Sequence, residues 1–327
     1  MSAAAAHLRQ ELFEGKFAIG GHRGSGMNIL GTAHPLTAQY HKLHPTNLAI
    51  RENTVPSFQR AAGNGASFVE FDVQVTKDKV PVIWHDDQVC FRQGEAQVQQ
   101  RPVSSFAASE FTSLRRADSP VQLVRRKITA AGFSDTEFDD WTVETEAPLP
   151  TLTELLQTVP ESIGFDLEVK MTTPSAQLAT EPEEIDRVVQ PILSVVLQAR
   201  QHSFRKMLFS SFDPEVCQAL RERQQDVPVF LLSTGPISLK PHSDQRRNTV
   251  SAAIDWARKA DLQGLVLDSS CFKTEPDAPR AAEQLGLVTL TYGIANNVPE
   301  WIQHQRQLGV AAVVTDNLPV IVQSASS

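Results

Sequence analysis

The sequence predicts an α/β protein folded as a closed (β/α)8 barrel, with an insertion after the second strand. Three observations predict it. Eight short apolar runs recur along the 327 residues, at Phe17–Gly21, Phe68–Asp72, Gly164–Glu168, Met207–Ser210, Val227–Leu232, Gly264–Leu267, Leu287–Thr291 and Ala311–Thr315. Helical patterns lie between most of them, and strand followed by helix, repeated, builds parallel βαβ units. Eight such units match a closed barrel rather than an open sheet.

Several helix starts are marked. Asp213-Pro214 offers an N-cap with proline at the first helical position. Thr151-Leu-Thr-Glu154 has the form of a capping box ahead of Leu155-Leu156. Asn53 or Thr54 can cap a helix through Phe58 to Ala62, with Pro56 in its first turn. The pattern from Glu183 to Gln201 reads as a helix that Pro191 should kink.

The run Val80–Trp84 does not fit as another parallel strand. Only Thr76–Lys79 separates it from the strand before, and a parallel crossover needs roughly a dozen residues or more, so a hairpin is required. The hairpin leaves the C-terminal end of strand two, the rim where barrel active sites lie. Two segments lack the repeat: Asn28–Arg51, and Asp86–Pro150 with its basic pairs Arg115-Arg116 and Arg125-Arg126. The second reads as an insertion on the active-site face, a lid or substrate-selecting unit. The expected organisation is one domain over residues 17–322, the insertion at 86–150, and an extension over 1–16.

Composition narrows the class. Hydrophobic residues make up 41% and charged residues 21%, which supports a core of ordinary soluble type. No apolar window is long enough for a membrane-spanning helix. A net charge of −8 argues against nucleic-acid binding, while leaving room for small anionic substrates held by local cations. Three scattered cysteines without a CxxC fit a reducing compartment. The start lacks a basic region followed by an apolar one, so no secretory signal is expected. A cytoplasmic location follows, or a plastid one if the N-terminus is truncated.

The chemistry concentrates in Ser67–Asp86. Strand side chains alternate, so Glu70 and Asp72 share a face, at the C-terminal rim of a buried run. Paired carboxylates repel unless a cation or proton sits between them. Gly164–Lys170 sets Asp166, Glu168 and Lys170 on one face, and Glu168 can join the pair. Three hard oxygen ligands suit Mg²⁺ or Ca²⁺, and no Cys/His cluster supports zinc. Lys170 suits a phosphate oxygen. His22 and His85 are acid/base candidates, since imidazole exchanges protons near neutrality. Arg23 offers a guanidinium fork that matches phosphate. Glu52-Asn-Thr54 opens the first barrel helix, where Glu52 either caps, contacts the metal or braces Arg23.

The ordered set His22-Arg23, Glu52-Asn-Thr54, Glu70-Phe-Asp72, His85-Asp86 and Glu168-Val-Lys170 resembles the glycerophosphodiester phosphodiesterase family. Phe209-Ser-Ser-Phe212 and Val314–Pro319 agree, and the resemblance spans about residues 17 to 320. The long segment after Gly-His-Arg and Thr291–Asn297 look most like the plant and eukaryotic branch. The resemblance implies a barrel of the phosphoinositide-phospholipase-C-like type. It also implies metal-dependent hydrolysis of glycerophosphodiesters, such as glycerophosphocholine or glycerophosphoethanolamine, to sn-glycerol 3-phosphate and an alcohol. Glu70, Asp72 and Glu168 would bind the cation, with Glu52 joining its sphere. His22 and His85 would be general acid and base. Arg23 and Lys170 would hold the phosphate. Tyr292 stands near a position where many relatives carry tryptophan, as an aromatic wall for glycerol. Asp166 is unusual beside Glu168.

Two rival readings remain at this level. A lysophospholipase D would need an acyl groove, for which the insertion offers Phe91, Phe106, Phe111, Leu114, Val121 and Leu123. A non-catalytic phosphodiester-binding scaffold would keep the fold without the chemistry.

Overall fold

The computed structural model describes residues 2–28, 48–115, 119–129, 132–171, 179–237 and 244–326. Most of the irregular stretch expected between Asn28 and Arg51, residues 29–47, lies outside them. Eight parallel strands form a closed barrel: β1 (Ala18–Gly21), β2 (Phe68–Val75), β8 (Gly164–Val169), β9 (Met207–Ser211), β10 (Val229–Ser233), β11 (Gly264–Asp268), β12 (Val288–Tyr292) and β13 (Ala312–Thr315). Closure is made by β1, which pairs with β13 from Ala18↔Ala312 to Gly21↔Thr315 and with β2 at Gly20↔Phe68.

Period-two alternation assigns the two faces. Val69, Phe71 and Val73 of β2, with Phe165, Leu167 and Val169 of β8, point outward into the core under the helices. The inward face changes character along its length. Its lower part is apolar, with Phe68, Leu208, Phe230, Val266, Val288 and Ala312. Glycines make room for the large rings there: a Cβ on Gly20 would lie 2.3 Å from the Phe68 ring, and one on Gly264 2.4 Å from Phe230. Above that floor the same face turns polar, through Glu70, Asp72, Asp166 and Glu168.

Residues 1–16, read above as an extension, contain α1 (Ala3–Phe13), capped by the Ser2 hydroxyl. Leu8, Leu12 and Phe13 of this helix join the apolar interior from below, and the Phe13 and Phe68 rings stand 5.8 Å apart. The helix therefore closes the end of the barrel opposite the polar residues.

The predicted helix starts are present. Before α2 (Val55–Gly63), Thr54 donates its hydroxyl to the Arg51 carbonyl instead of capping. The insertion carries the one-turn α3 (Ala108–Ser113). Thr151 and Glu154 form a reciprocal capping box on α4 (Leu152–Thr158). The helix read over 183–201 is α5 (Pro182–Arg200), with Pro191 inside it. Asp213 caps α6 (Pro214–Arg223) by accepting from Val216 N at 3.2 Å.

The predicted hairpin is β2 with β3 (Pro81–Ile83), antiparallel from Val73↔Ile83 to Val75↔Pro81. The insertion that follows is a second, antiparallel sheet in the order β5-β4-β6-β7. Its strands are β4 (Val89–Gln93), β5 (Gln99–Arg101), β6 (Val121–Thr129) and β7 (Gly132–Asp140). Phe91, Phe106, Phe111, Leu114, Val121 and Leu123 pack with Trp84 and Trp141 into a core of its own. Those residues, which could have lined an acyl groove, are buried against one another.

Candidate active site

A cavity of about 390 Å³ opens at the C-terminal ends of the barrel strands. His22, Arg23, Glu70, His85, Glu168, Lys170 and Tyr292 all line it. Each is put there by strand geometry. Glu70 and Asp72 are consecutive inward residues of β2, and β8 sets Asp166 opposite Glu70 and Glu168 opposite Asp72. Ligand oxygens of Glu70, Asp72 and Glu168 all lie within 4.8 Å of one another.

Burial makes this trio electrostatically tense. It pushes the Glu70 carboxyl well above the usual carboxylate range, and Asp72, Glu168 and Asp166 push it further. Burial acts the same way on Asp72, but His85 in its protonated form, Lys170 and Arg23 outweigh it and hold that carboxyl well below the range. Lys170 Nζ stands 3.0 Å from Glu168 Oε1 and 3.7 Å from Asp72 Oδ1. Burial also raises Asp166, to about 7, and the Ser210 hydroxyl donates to its Oδ1 at 2.6 Å. Lys170 and Arg23 are two cations beside four carboxylates, Glu70, Asp72, Asp166 and Glu168. An all-oxygen, buried, over-charged cluster fits a hard divalent cation.

The two histidines are built alike. His22 Nδ1 is 2.7 Å from Asp316 Oδ1, and its Nε2 lies 3.9 Å from Glu70 Oε2. His85 Nδ1 is 2.7 Å from Asp86 Oδ1. A carboxylate on Nδ1 fixes the ring and its tautomer, and leaves Nε2 for chemistry. Burial lowers the His85 pKa, and Arg23 and Lys170 lower it further, which keeps the ring neutral.

Arg23 has a left-handed backbone, φ 48°, which turns its N–H onto Glu70 Oε2 at 3.0 Å while the side chain lies along the rim. Its Nη1 donates to Glu52 Oε1 at 2.7 Å, and its Nε lies 3.6 Å from Asp72 Oδ2.

Glu52 stands outside the trio. Its Oε1 accepts from both Arg23 Nη1 and Arg125 Nη2, and its Oε2 accepts from Arg125 Nη1 and from Asn28 N. It braces Arg23. Burial would raise its pKa, but Arg125 and Arg23 override that and keep it an anion.

Tyr292 stands at the rim end of β12, edge-on to Phe212 with ring centroids 5.9 Å apart. Burial raises its phenol well above the ordinary value, so it stays neutral.

Sequence reading gave no role to Asp316, Arg125 or Trp141, and gave Asn53 only that of a helix cap. Asp316 follows Ala312 and Val314 on the inward face of β13, so the alternation that found Glu70 also reaches it. Asn53 donates to Asp72 Oδ2 at 2.8 Å, from a left-handed φ of 57° that asparagine tolerates. Arg125 and Trp141 come from the insertion, and no local pattern ties them to the barrel.

Comparison with known proteins agrees with this geometry. The model of the glycerophosphoryl diester phosphodiesterase family matches residues 22–320. The chain belongs to that family. It is a phosphodiesterase, and residues 22–320 include every site residue described above. The chain is 32% identical over 314 residues to the glycerophosphodiester phosphodiesterase GDPD3 of Arabidopsis thaliana, covering 95% of this chain and 79% of that one. It is 30% identical over 342 residues to the glycerophosphocholine phosphodiesterase GDE1 of Candida albicans, covering 91% of this chain and 28% of that protein. The fold matches a phosphodiesterase of Oleispira antarctica solved with the product sn-glycerol-3-phosphate, at TM-score 0.58 and 18% identity, covering 97% of this chain and 99% of that one.

Proposed function

We propose that this phosphodiesterase hydrolyses glycerophosphodiesters of the glycerophosphocholine and glycerophosphoethanolamine type to sn-glycerol 3-phosphate and the free alcohol. A divalent cation, Mg²⁺ or Ca²⁺, would be held by Glu70, Asp72 and Glu168. The observation that carries the reading is that cluster of three carboxylates, flanked by two histidines that are each oriented by a carboxylate of their own.

The bound cation would polarise the phosphoryl group and lower the pKa of a hydroxyl beside it. The protein's residues do the rest. Arg23 and Lys170 bind the phosphate oxygens. His85, kept neutral by its surroundings, takes the proton from the glycerol hydroxyl next to the phosphodiester. That oxygen bonds to phosphorus as the bond to the head-group oxygen breaks, and His22 gives the departing alkoxide its proton. The five-membered cyclic phosphate is then opened by water with the histidine roles reversed. Tyr292 and Phe212 offer an aromatic wall to the glycerol carbons.

The substrate class is supported by the family match and by the Candida albicans relative's description. A lysophospholipid substrate gains no support from the insertion, whose apolar residues are buried in their own core. A cytoplasmic site of action belongs to the same proposal and rests on three cysteines that form no disulfide.

The test is release of sn-glycerol 3-phosphate from glycerophosphocholine by the purified chain. It is run with Mg²⁺, with Ca²⁺ and with EDTA, beside Glu70→Ala. Turnover that needs the cation and vanishes in the variant is expected. Turnover that persists in EDTA, or only with lysophosphatidylcholine as substrate, overturns the reading.

A further inference from the structure

Arg125 belongs to β6 of the insertion, yet its guanidinium ends in the barrel site. Its Nε stands 3.2 Å from Asp86 Oδ2. Its Nη1 donates to the Asn28 carbonyl at 2.9 Å and to Glu52 Oε2 at 3.3 Å, and its Nη2 donates to Glu52 Oε1. The plane of the fork is set from below, since its carbon lies 3.6 Å from the centroid of the Trp141 ring. Trp141 is fixed in turn: its Nε1 donates to Asn28 Oδ1 at 3.0 Å, and Arg51 lies 4.6 Å over its ring.

The two carboxylates that Arg125 joins have different clients. Asp86 holds the Nδ1 of His85, and Glu52 holds the Nη1 of Arg23. We propose that Arg125 is a positioning residue that fixes the placement of His85 relative to Arg23, so that the insertion is part of the catalytic apparatus. The proposal rests on the roles given above to His85 and Arg23.

Asp86–Arg125–Glu52–Arg23 alternates in sign and is largely buried, with Glu52 1% exposed and Arg125 15%. Removing the Arg125 cation leaves Glu52 buried with half its charge compensation, its Oε1 held by Arg23 and its Oε2 by the Asn28 N–H. A guanidinium presents several donors in a rigid plane and can space two carboxylates, whereas an ammonium is a point charge that serves one at a time. The fork, and not its charge alone, sets the distance between the two clients.

The experiment compares the wild-type chain with Arg125→Lys, Arg125→Gln, Asp86→Asn and the Asp86→Asn/Arg125→Lys pair. It measures glycerophosphocholine hydrolysis together with calorimetric titration of Mg²⁺ and of Ca²⁺. Arg125→Lys keeps the charge and the long stem over Trp141, so it carries the test even if Arg125→Gln does not fold. Expected is a loss of kcat of about 10- to 100-fold, the scale of a misplaced catalytic group. Cation affinity should hold within about twofold, since Arg125 does not touch the trio. The pair should lose clearly less than the product of the two single losses, because the Asp86–Arg125 link is broken in either one. Wild-type kcat in Arg125→Lys, multiplicative losses in the pair, or a loss of kcat that follows lost cation affinity would each overturn the proposal. An inactive wild-type chain would instead remove the functional reading on which it rests.

Discussion

Asp316 holds His22 from the strand that closes the barrel: its Oδ1 is 2.7 Å from His22 Nδ1 and also accepts from Met27 N at 2.9 Å. Asp316 is itself fixed, through its backbone N–H, by Asn297 Oδ1 at 2.9 Å. The ring of His22 is thus aimed by a residue that sequence reasoning left without a role. Asp316→Asn keeps the shape but offers an amide to Nδ1, which favours the wrong tautomer. We expect kcat to fall about 10²-fold or more, within the range for a lost acid/base group, with unchanged cation affinity by calorimetry. Wild-type turnover in the variant would remove Asp316 from the mechanism.

His85 is half-buried near two cations, and its lowered pKa fixes the sign of a pH effect. A general base works when neutral, so the acidic limb of kcat/KM should lie below about 6.5, the ordinary value for imidazole. In His85→Ala the limb should disappear together with about 10²–10⁴ of the rate. An acidic limb that stays in place in the variant would assign it to another group.

Glu70 gives the cation-free protein a liability that Glu70→Gln removes. Its folded pKa is raised, so its contribution to stability is complete below the unfolded value of about 4.3 and is lost as pH rises toward the folded value. In EDTA, the Tm of Glu70→Gln should therefore exceed that of the wild type increasingly above about pH 5. Added Mg²⁺ or Ca²⁺ should raise the Tm of the wild type and not of the variant, because ligand binding to the folded state stabilises it. Equal responses of the two proteins to the cation would rule Glu70 out as a ligand.

Phe13 isolates the role of α1. Its ring is buried against Phe68 at the end of the barrel opposite the site. Phe13→Ala should cost about 3–5 kcal/mol by urea denaturation. KM should be unchanged, because the cavity lies at the other rim. A raised KM with full stability would reverse that assignment.

The barrel was legible because its strands carry their signal locally. In β2, Val69, Phe71 and Val73 face the helices while Glu70 and Asp72 face the axis, and a period of two shows this in one chain segment. The hairpin was legible from the length of its loop. The role of Glu52 stayed open in the sequence because it depends on Arg125, 73 residues away. The insertion was readable as an insertion but not as a sheet, since its apolar residues are scattered among charges and only their packing around Trp84 and Trp141 makes them a core. α1 was passed over because an alanine-rich helix gives no hint of the cavity it fills.

The pairing of β1 with β13 joins residues as far apart as Ala18 and Ala312. On a ribosome adding roughly 5–20 residues per second, the first strand waits roughly 15–60 s for the partner that completes its hydrogen bonding. His22 waits as long for Asp316. The His22–Asp316 pair therefore cannot assemble until 294 more residues have been added after His22. A chain released short of Asp316 carries the carboxylate trio but not this pairing, so the acidic cluster and the partner of His22 are made at different times.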